Sequence, residues 1–236
     1  MTAMFKILSV LLTYPEEEMQ AAAGALRSAI AGERVLDTPC RARLVALVDE
    51  LAERDLMDLQ ERYVFLFDRT RSLSLHLFEH VHGESRDRGQ AMVDLRGMYE
   101  AAGLEIAANE LPDYLPLFLE FLATQPLDEA RALLLRTLHI ISAIRERLAK
   151  RDSIYAGVFE ALESLAAAKP DAEELEALRQ APDDDPGDLQ ALDRAWAEEP
   201  VTFGPGAGSS CPAERLETRL RASIRSVADT QSGGVR

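Results

Sequence analysis

Apolar residues recur every three or four positions along nearly the whole chain, which is the period of an α-helix. The sequence does not show the short β-branched runs, alternating with polar residues, that indicate strands. We therefore expect an all-α fold, arranged as a single multi-helix bundle. Helices are predicted at about 3–12, from 15, from 38, at 56–67, 85–103, after 113, from 126 and at 154–168.

Two stretches carry more specific expectations. Asp113 is predicted to be a helix N-cap, which places Pro116 in the first turn, where its missing amide is harmless. The helix that follows is apolar on nearly all sides, so we expect it at the centre of the domain. Residues 71–83 fit either a short helix or an extended link that ends at Gly83.

The composition changes at Pro170. The last 67 residues hold 14 acidic residues and seven arginines, and they contain the helix-breaking sequences PDDDPG (182–187) and FGPGAGSSCP (203–212). We expect residues 1–169 to form the helical domain and residues 170–236 to form an acidic, flexible extension. Within that extension, residues 215–227 are predicted to form a short basic amphipathic helix.

Net charge and the distribution of apolar residues exclude several classes of function. The formal net charge is −15, which argues against binding to nucleic acid or to anionic lipid. An acidic surface suits a basic peptide instead. No stretch approaches the roughly 18 apolar residues of a membrane-spanning helix, and the two cysteines form no disulfide framework. We therefore expect a cytoplasmic protein without direct membrane insertion.

The sequence contains none of the common catalytic motifs that would indicate an enzyme. The chain lacks GxSxG, a Walker loop and GxGxxG. His76, His80 and His82, with nearby acids such as Glu84, leave open a metal-dependent helical hydrolase, although their spacing differs from HExxH. The favoured interpretation is a hydrogen-bonded polar cluster at a helix start, with no metal. A generic helical adaptor is a further alternative.

Aromatic residues are concentrated between residues 63 and 121. We expect most of them in the core. A groove between helices, lined by such residues and rimmed with acids, would bind an amphipathic peptide helix.

Two runs resemble the NarJ family, the nitrate reductase molybdenum-cofactor assembly chaperones within the wider TorD and DmsD group. They are residues 59–95, which include FEHVHGESRDRGQAM, and residues 110–122, ELPDYLPLFLEFL. The second run corresponds to the E-P-x-D-H signature of the group, with Tyr114 where that signature often has His. The resemblance extends over about residues 3–168, and the tail has no firm counterpart in it.

This resemblance implies a non-enzymatic cytoplasmic chaperone that binds the N-terminal peptide of the nitrate reductase catalytic (alpha) subunit. Such a chaperone assists insertion of the molybdenum cofactor and iron–sulfur clusters before membrane attachment, and it binds no cofactor stably itself. Proteins of molybdenum-cofactor biosynthesis are further candidate partners.

The site residues expected from the resemblance fall into two groups. The peptide site is expected to include Tyr63, Phe67, Phe78, Glu84, Tyr99, Asp113, Tyr114, Phe118 and Glu120. Four further side chains are expected to fix the link between helices or to contact the apoenzyme: His80, His82, Arg86 and Arg88.

Overall fold

Helices account for most of the chain. The structure, a computed structural model, describes residues 2–81, 86–106, 110–190 and 193. Within those residues it contains nine α-helices, two short 3-10 helices and no β-strand. This confirms the predicted all-α class.

The helix bounds follow the sequence periodicity closely, and those of α4 coincide with the prediction. The nine helices are α1 (Thr2–Leu11), α2 (Glu17–Gly32), α3 (Thr38–Glu53), α4 (Leu56–Phe67), α5 (Arg86–Ala101), α6 (Leu115–Thr124), α7 (Leu127–Lys150), α8 (Ala156–Ala166) and α9 (Ala172–Gln180). The ambiguous segment after α4 forms two 3-10 helices, Arg71–Leu73 and Leu77–His80.

The C-terminus of α5 shows how local sequence sets a helix end. Gly103 has a φ of +77°, a left-handed conformation that favours glycine. Its amide donates to the carbonyl of Glu100 at 2.9 Å, and the amide of Leu104 donates to the carbonyl of Tyr99 at 3.0 Å. This pair of bonds is a Schellman motif, which turns the chain back along the helix and brings an apolar residue against it.

The longest helix, α7, forms the centre of the bundle. Thirteen of its 24 residues are buried, and it packs against α8 and α9. The expectation that α6 lies at the centre is only partly met. Six of its ten residues are buried, and it packs against α1, but Leu117 and Glu120 are only partly buried. One face of α6 therefore borders solvent.

Residues 172–188 lie against the bundle, which differs from the expected domain boundary at residue 170. Leu175 and Leu178, one helical turn apart in α9, are buried. The buried guanidinium of Arg147 donates to the carbonyls of Ser72 and Leu178 at 2.8 and 2.7 Å. An apolar helix face and a buried arginine thus hold this part of the extension to the domain, a long-range arrangement that composition does not reveal.

Candidate functional site

Two segments far apart in sequence meet at the start of α6. An antiparallel bridge centred on His76 pairs residues 75–77 with residues 113–115. Within it, the amide of Leu115 donates to the carbonyl of Leu75 at 2.8 Å. The bridge holds the 3-10 segment against the N-terminal end of α6, and we call these paired residues the α6 junction.

Asp113 is the central polar residue of the α6 junction. It is fully buried, and its Oδ2 accepts a hydrogen bond from the amide of Phe78 at 3.0 Å. Its Oδ1 lies 3.3 Å from His76 Nδ1, and its carbonyl accepts from Leu77. The predicted N-cap role of Asp113 is therefore wrong, because Tyr114 occupies that position and the carboxylate instead bonds to a segment 35 residues earlier.

The two histidines of this segment have different environments. The hydrogen bond to Asp113 is the main reason why the pKa of His76 is raised above its ordinary value. The Nε2 of His80 donates to the carbonyl of Ser74 at 2.8 Å, and burial lowers the pKa of His80. The buried carboxylate of Asp113 thus stabilises the protonated form of His76 relative to a free imidazole, whereas burial stabilises the neutral form of His80.

Tyrosine side chains surround the junction. The hydroxyl of Tyr63 donates to the carbonyl of Leu12 at 2.9 Å and lies 2.9 Å from the hydroxyl of Tyr114. The rings of His76 and Tyr114 are 5.4 Å apart, and those of Tyr14 and Tyr63 are 5.6 Å apart. Burial raises the pKa of Tyr114 to about 12. The hydroxyls of Tyr63 and Tyr114 therefore act as neutral hydrogen-bonding groups at physiological pH.

Along its C-terminal half, α6 borders an open apolar cavity of about 540 Å³, which we call the α6 groove. Its walls are α1, α6 and the chain around the end of α5. The apolar lining residues are Ala3, Tyr99, Leu104, Ile106, Leu117, Phe121 and Ala123. The polar lining residues are Lys6, Glu105, Glu120 and Thr124.

Two glutamates and one lysine line the rim of the α6 groove. Glu105 is exposed, and Glu120 accepts a hydrogen bond from Lys6 at 2.5 Å. The rings of Tyr99 and Phe121 are 4.8 Å apart in the wall. The hydroxyl of Tyr99 also donates to the carbonyl of Pro112 at 2.7 Å, so one side chain connects the groove wall to the α6 junction.

The structure divides the expected peptide-site residues between these two places. It brings Tyr99 and Glu120 together in the α6 groove, and it places Tyr63, Asp113 and Tyr114 in or beside the α6 junction. Five of the six aromatic residues are at most 4% exposed, so they support the site from the core. These five are Tyr63, Phe67, Phe78, Tyr99 and Phe118.

The expected link or partner-contact residues are only partly described. Arg88 donates to Glu79 at 3.3 Å, which ties α5 to the 3-10 segment. His82 and Glu84 lie outside the described residues, as does the side chain of Arg86. The role expected for this group stays a prediction.

The part of the chain that the structure describes holds no group of three His, Cys, Asp or Glu side chains arranged to bind a metal ion. A ring nitrogen of His76 bonds to Asp113, and one of His80 bonds to Ser74. None of the described helices combines the length and apolar character needed to cross a bilayer.

Several groove residues were absent from the sequence prediction. Lys6 lies in α1, and Leu104 and Ile106 follow the end of α5. Gly103 could have indicated that Leu104 and Ile106 fold back against α5, because a glycine after a helix followed by an apolar residue is typical of a Schellman motif. No local signal indicated that α1 forms the opposite wall.

A family model and individual relatives of this chain all indicate the same protein family. The model of the nitrate reductase delta subunit family matches residues 33–161. The chain is 43% identical to the nitrate reductase molybdenum cofactor assembly chaperone NarJ of Escherichia coli K12 over 199 residues, which are 84% of this chain and 83% of NarJ. It is 37% identical to NarW of the same organism, which is assigned as a nitrate reductase molybdenum cofactor assembly chaperone, in an alignment of 234 positions that covers 97% of each chain.

The NarW match corrects one expectation. Because it covers 97% of the chain, it includes most of residues 170–236, so the tail does have a counterpart in a relative. The relatives named here are assembly chaperones, which confirms the prediction that the chain is not an enzyme.

A solved structure supports the fold. A protein of Archaeoglobus fulgidus assigned as a redox enzyme maturation protein matches with a TM-score of 0.53 at 23% identity, over 71% of this chain and 94% of that one. Together with the family match and the two E. coli relatives, this confirms the resemblance drawn from the sequence. The chain belongs to the nitrate reductase delta subunit family.

Proposed function

We propose that this chain is an assembly chaperone of a respiratory nitrate reductase and that it binds the N-terminal peptide of the catalytic subunit in the α6 groove. The names of the relatives support this partner class. The observation that carries the proposal is the groove itself, which combines an apolar floor with a rim that holds Glu105 and the Lys6–Glu120 ion pair. That combination suits the apolar face and basic flanks of an amphipathic helix.

The size of the α6 groove suits the apolar side chains along one face of such a helix. Its volume of about 540 Å³ is that of a small-molecule site, for which roughly 300–1,000 Å³ is typical, so the body of the helix would lie outside the cavity. A dissociation constant of about 1 μM requires roughly −8 kcal/mol. Three or four buried apolar side chains, at about 1.5–3 kcal/mol each, supply a gross free energy of that order before ordering costs are subtracted.

Binding of the peptide in the α6 groove would affect the maturation of the nitrate reductase. While the peptide lies in the groove, the catalytic subunit is withheld from its membrane partner, in the cytoplasm, until the molybdenum cofactor and iron–sulfur clusters are inserted. In this proposal the chaperone contributes peptide binding only. The cofactor is cargo destined for the partner enzyme.

The test is calorimetric titration with a synthetic peptide of roughly the first 15 residues of the host's nitrate reductase catalytic subunit, about four helical turns. Ile106→Ser removes an apolar contact from the groove floor, and we expect it to weaken binding about tenfold, equivalent to about 1.4 kcal/mol. Val93→Ser is the matched control, because Val93 is an exposed apolar residue of α5 outside the groove.

Equal affinities for Ile106→Ser and wild type would place the peptide elsewhere. Absence of measurable binding to wild type would contradict the proposed function. A peptide in which serines replace the apolar residues of one helical face should lose binding to all three proteins.

A further inference from the structure

The C-terminal residues 215–227 carry the chemistry that suits the α6 groove. Their sequence, RLETRLRASIRSV, contains four arginines and one glutamate, in a chain whose net charge is −15. Leu216, Leu220 and Ile224 recur every four residues, a spacing that predicts one apolar helix face. The segment is therefore predicted to form a basic amphipathic helix, which is the class of ligand proposed for the α6 groove.

The groove offers a complementary surface. Leu104, Ile106 and Leu117 are partly buried and leave apolar area facing the cavity. Glu105 and Glu120 lie at the rim, where Lys6 pairs with Glu120. Arginines beside an apolar helix face can reach Glu105 and can compete with Lys6 for Glu120. Apolar and charged features thus match in both members of the pair.

The described part of the extension lies beside the C-terminal end of α4. Arg69, just after α4, donates to the carbonyl of Pro186 at 3.3 Å. The same helix α4 carries Tyr63, whose hydroxyl lies 2.9 Å from that of Tyr114 at the start of α6. The extension therefore passes the α4 end that adjoins the α6 junction.

The remaining linker is long enough to reach the groove. Residues 194–214 contain the sequence FGPGAGSSCP. A flexible chain of this length has a root-mean-square span of about 25 Å. The radius of gyration of a folded domain of about 190 residues is roughly 16 Å. Residues 215–227 can thus reach most of the surface, at an effective concentration near 1 mM.

We propose that residues 215–227 occupy the α6 groove as an intramolecular ligand that an incoming peptide must displace. This inference rests on the proposed function of the groove, and it adds that the tail regulates peptide binding there. With an effective concentration of about 1 mM and an intrinsic dissociation constant of about 0.1–0.2 mM, the tail lowers the apparent peptide affinity about five- to tenfold.

The contact itself can be measured without any peptide. Cys211 lies in the linker, and Cys40 is buried, so a nitroxide on Cys211 of the full-length Cys40→Ala protein reports on the tail alone. We expect the label to broaden the methyl signal of Ile106 more than that of the core residue Ile30. The triple variant L216S/L220S/I224S should abolish this difference, while A222S, on the opposite helix face, should retain it.

Two results would overturn the intramolecular contact. One is an Ile106 signal that the label leaves unchanged. The other is broadening that occurs only between spin-labelled chains and separate isotope-labelled chains, since that would show the tail of a second copy in the groove.

Peptide titration then tests the competition. The triple variant should bind the catalytic-subunit peptide about five- to tenfold more tightly than wild type, with A222S unchanged. Equal affinities would overturn the competition. If neither protein binds the peptide but the nitroxide contact persists, the proposed function fails while the tail contact stands.

Discussion

The two ends of α6 meet very different surroundings. At the N-terminal end, the α6 junction buries polar groups that bond to one another, as the contacts of Asp113 with Phe78 and His76 show. Along the C-terminal half, the α6 groove leaves apolar side chains such as Ile106 and Leu117 partly exposed. One end is polar and closed, and the other is apolar and open.

This contrast indicates that the α6 junction stabilises the fold, whereas the α6 groove is available for binding. Buried polar groups with partners fix geometry, and removing one partner costs the desolvation of the other. Partly exposed apolar groups contribute less to folding and retain surface that a ligand can bury. We therefore expect substitutions at the junction to change the free energy of unfolding, and substitutions at the groove to change peptide affinity.

Asp113→Ala is expected to have the largest effect on stability. It leaves the buried amide of Phe78 without its acceptor and removes the partner of His76. We expect the free energy of unfolding to fall by about 3 kcal/mol, measured by urea denaturation. Peptide affinity of the folded fraction should stay unchanged, because the carboxylate is fully buried.

Glu61→Ala, which removes an exposed acid from α4, is the control and should change stability by less than about 0.5 kcal/mol. If both variants were equally stable, the structural role assigned to Asp113 would be wrong. A folded Asp113→Ala protein with weakened peptide binding would extend the peptide site to the junction.

The next largest expected effect is a dependence of the free energy of unfolding on pH, which arises at the α6 junction. Because the folded-state pKa of His76 is raised, its contribution to stability is fully present below its ordinary pKa of 6.5. That contribution is lost as pH rises through the folded-state value. As pH rises from below 6.5 through the folded-state value, the unfolding free energy of wild type should decrease relative to that of His76→Gln.

The comparison between these two proteins cancels other titrating groups, including His80, whose pKa shift has the opposite sign. Denaturation curves collected across that range provide the measurement. Parallel pH profiles for wild type and His76→Gln would show that the bond to Asp113 gives no proton linkage.

The smallest expected effect lies at the groove rim. Lys6 pairs with Glu120, so a basic residue of the peptide must compete for that carboxylate. Lys6→Met removes the competitor, and because exposed ion pairs are worth about 0–1 kcal/mol, peptide affinity should rise about two- to threefold. Lys169→Met, an exposed lysine outside the groove, serves as the calorimetric control. Weaker binding by Lys6→Met would mean that Lys6 itself contacts the peptide.

Sequence periodicity predicted the helices well, because a stripe of apolar residues such as that of α7 is a local signal. It did not predict the junction. Asp113 has the local signature of an N-cap, yet its carboxylate bonds to Phe78, a pairing that only the tertiary fold creates. Aromatic content likewise suggested a groove, but residues such as Phe118 lie in the core.

The position of the groove and the identity of its walls escaped prediction for a physical reason. Its walls come from α1, α6 and the chain after α5, and no short-range pattern indicates which faces of separate helices will remain uncovered. The packing of α9 is a similar case, since Leu175 and Leu178 gave only a short apolar face within an acidic, proline-containing region.

Peptide binding in the α6 groove can be followed by isotope-edited NMR of isoleucine methyl groups during titration with the catalytic-subunit peptide. We predict saturable shifts of the Ile106 signal, while core signals such as those of Ile30 and Ile141 stay in place. Saturable binding that leaves Ile106 unmoved would contradict this prediction and would place the peptide outside the α6 groove.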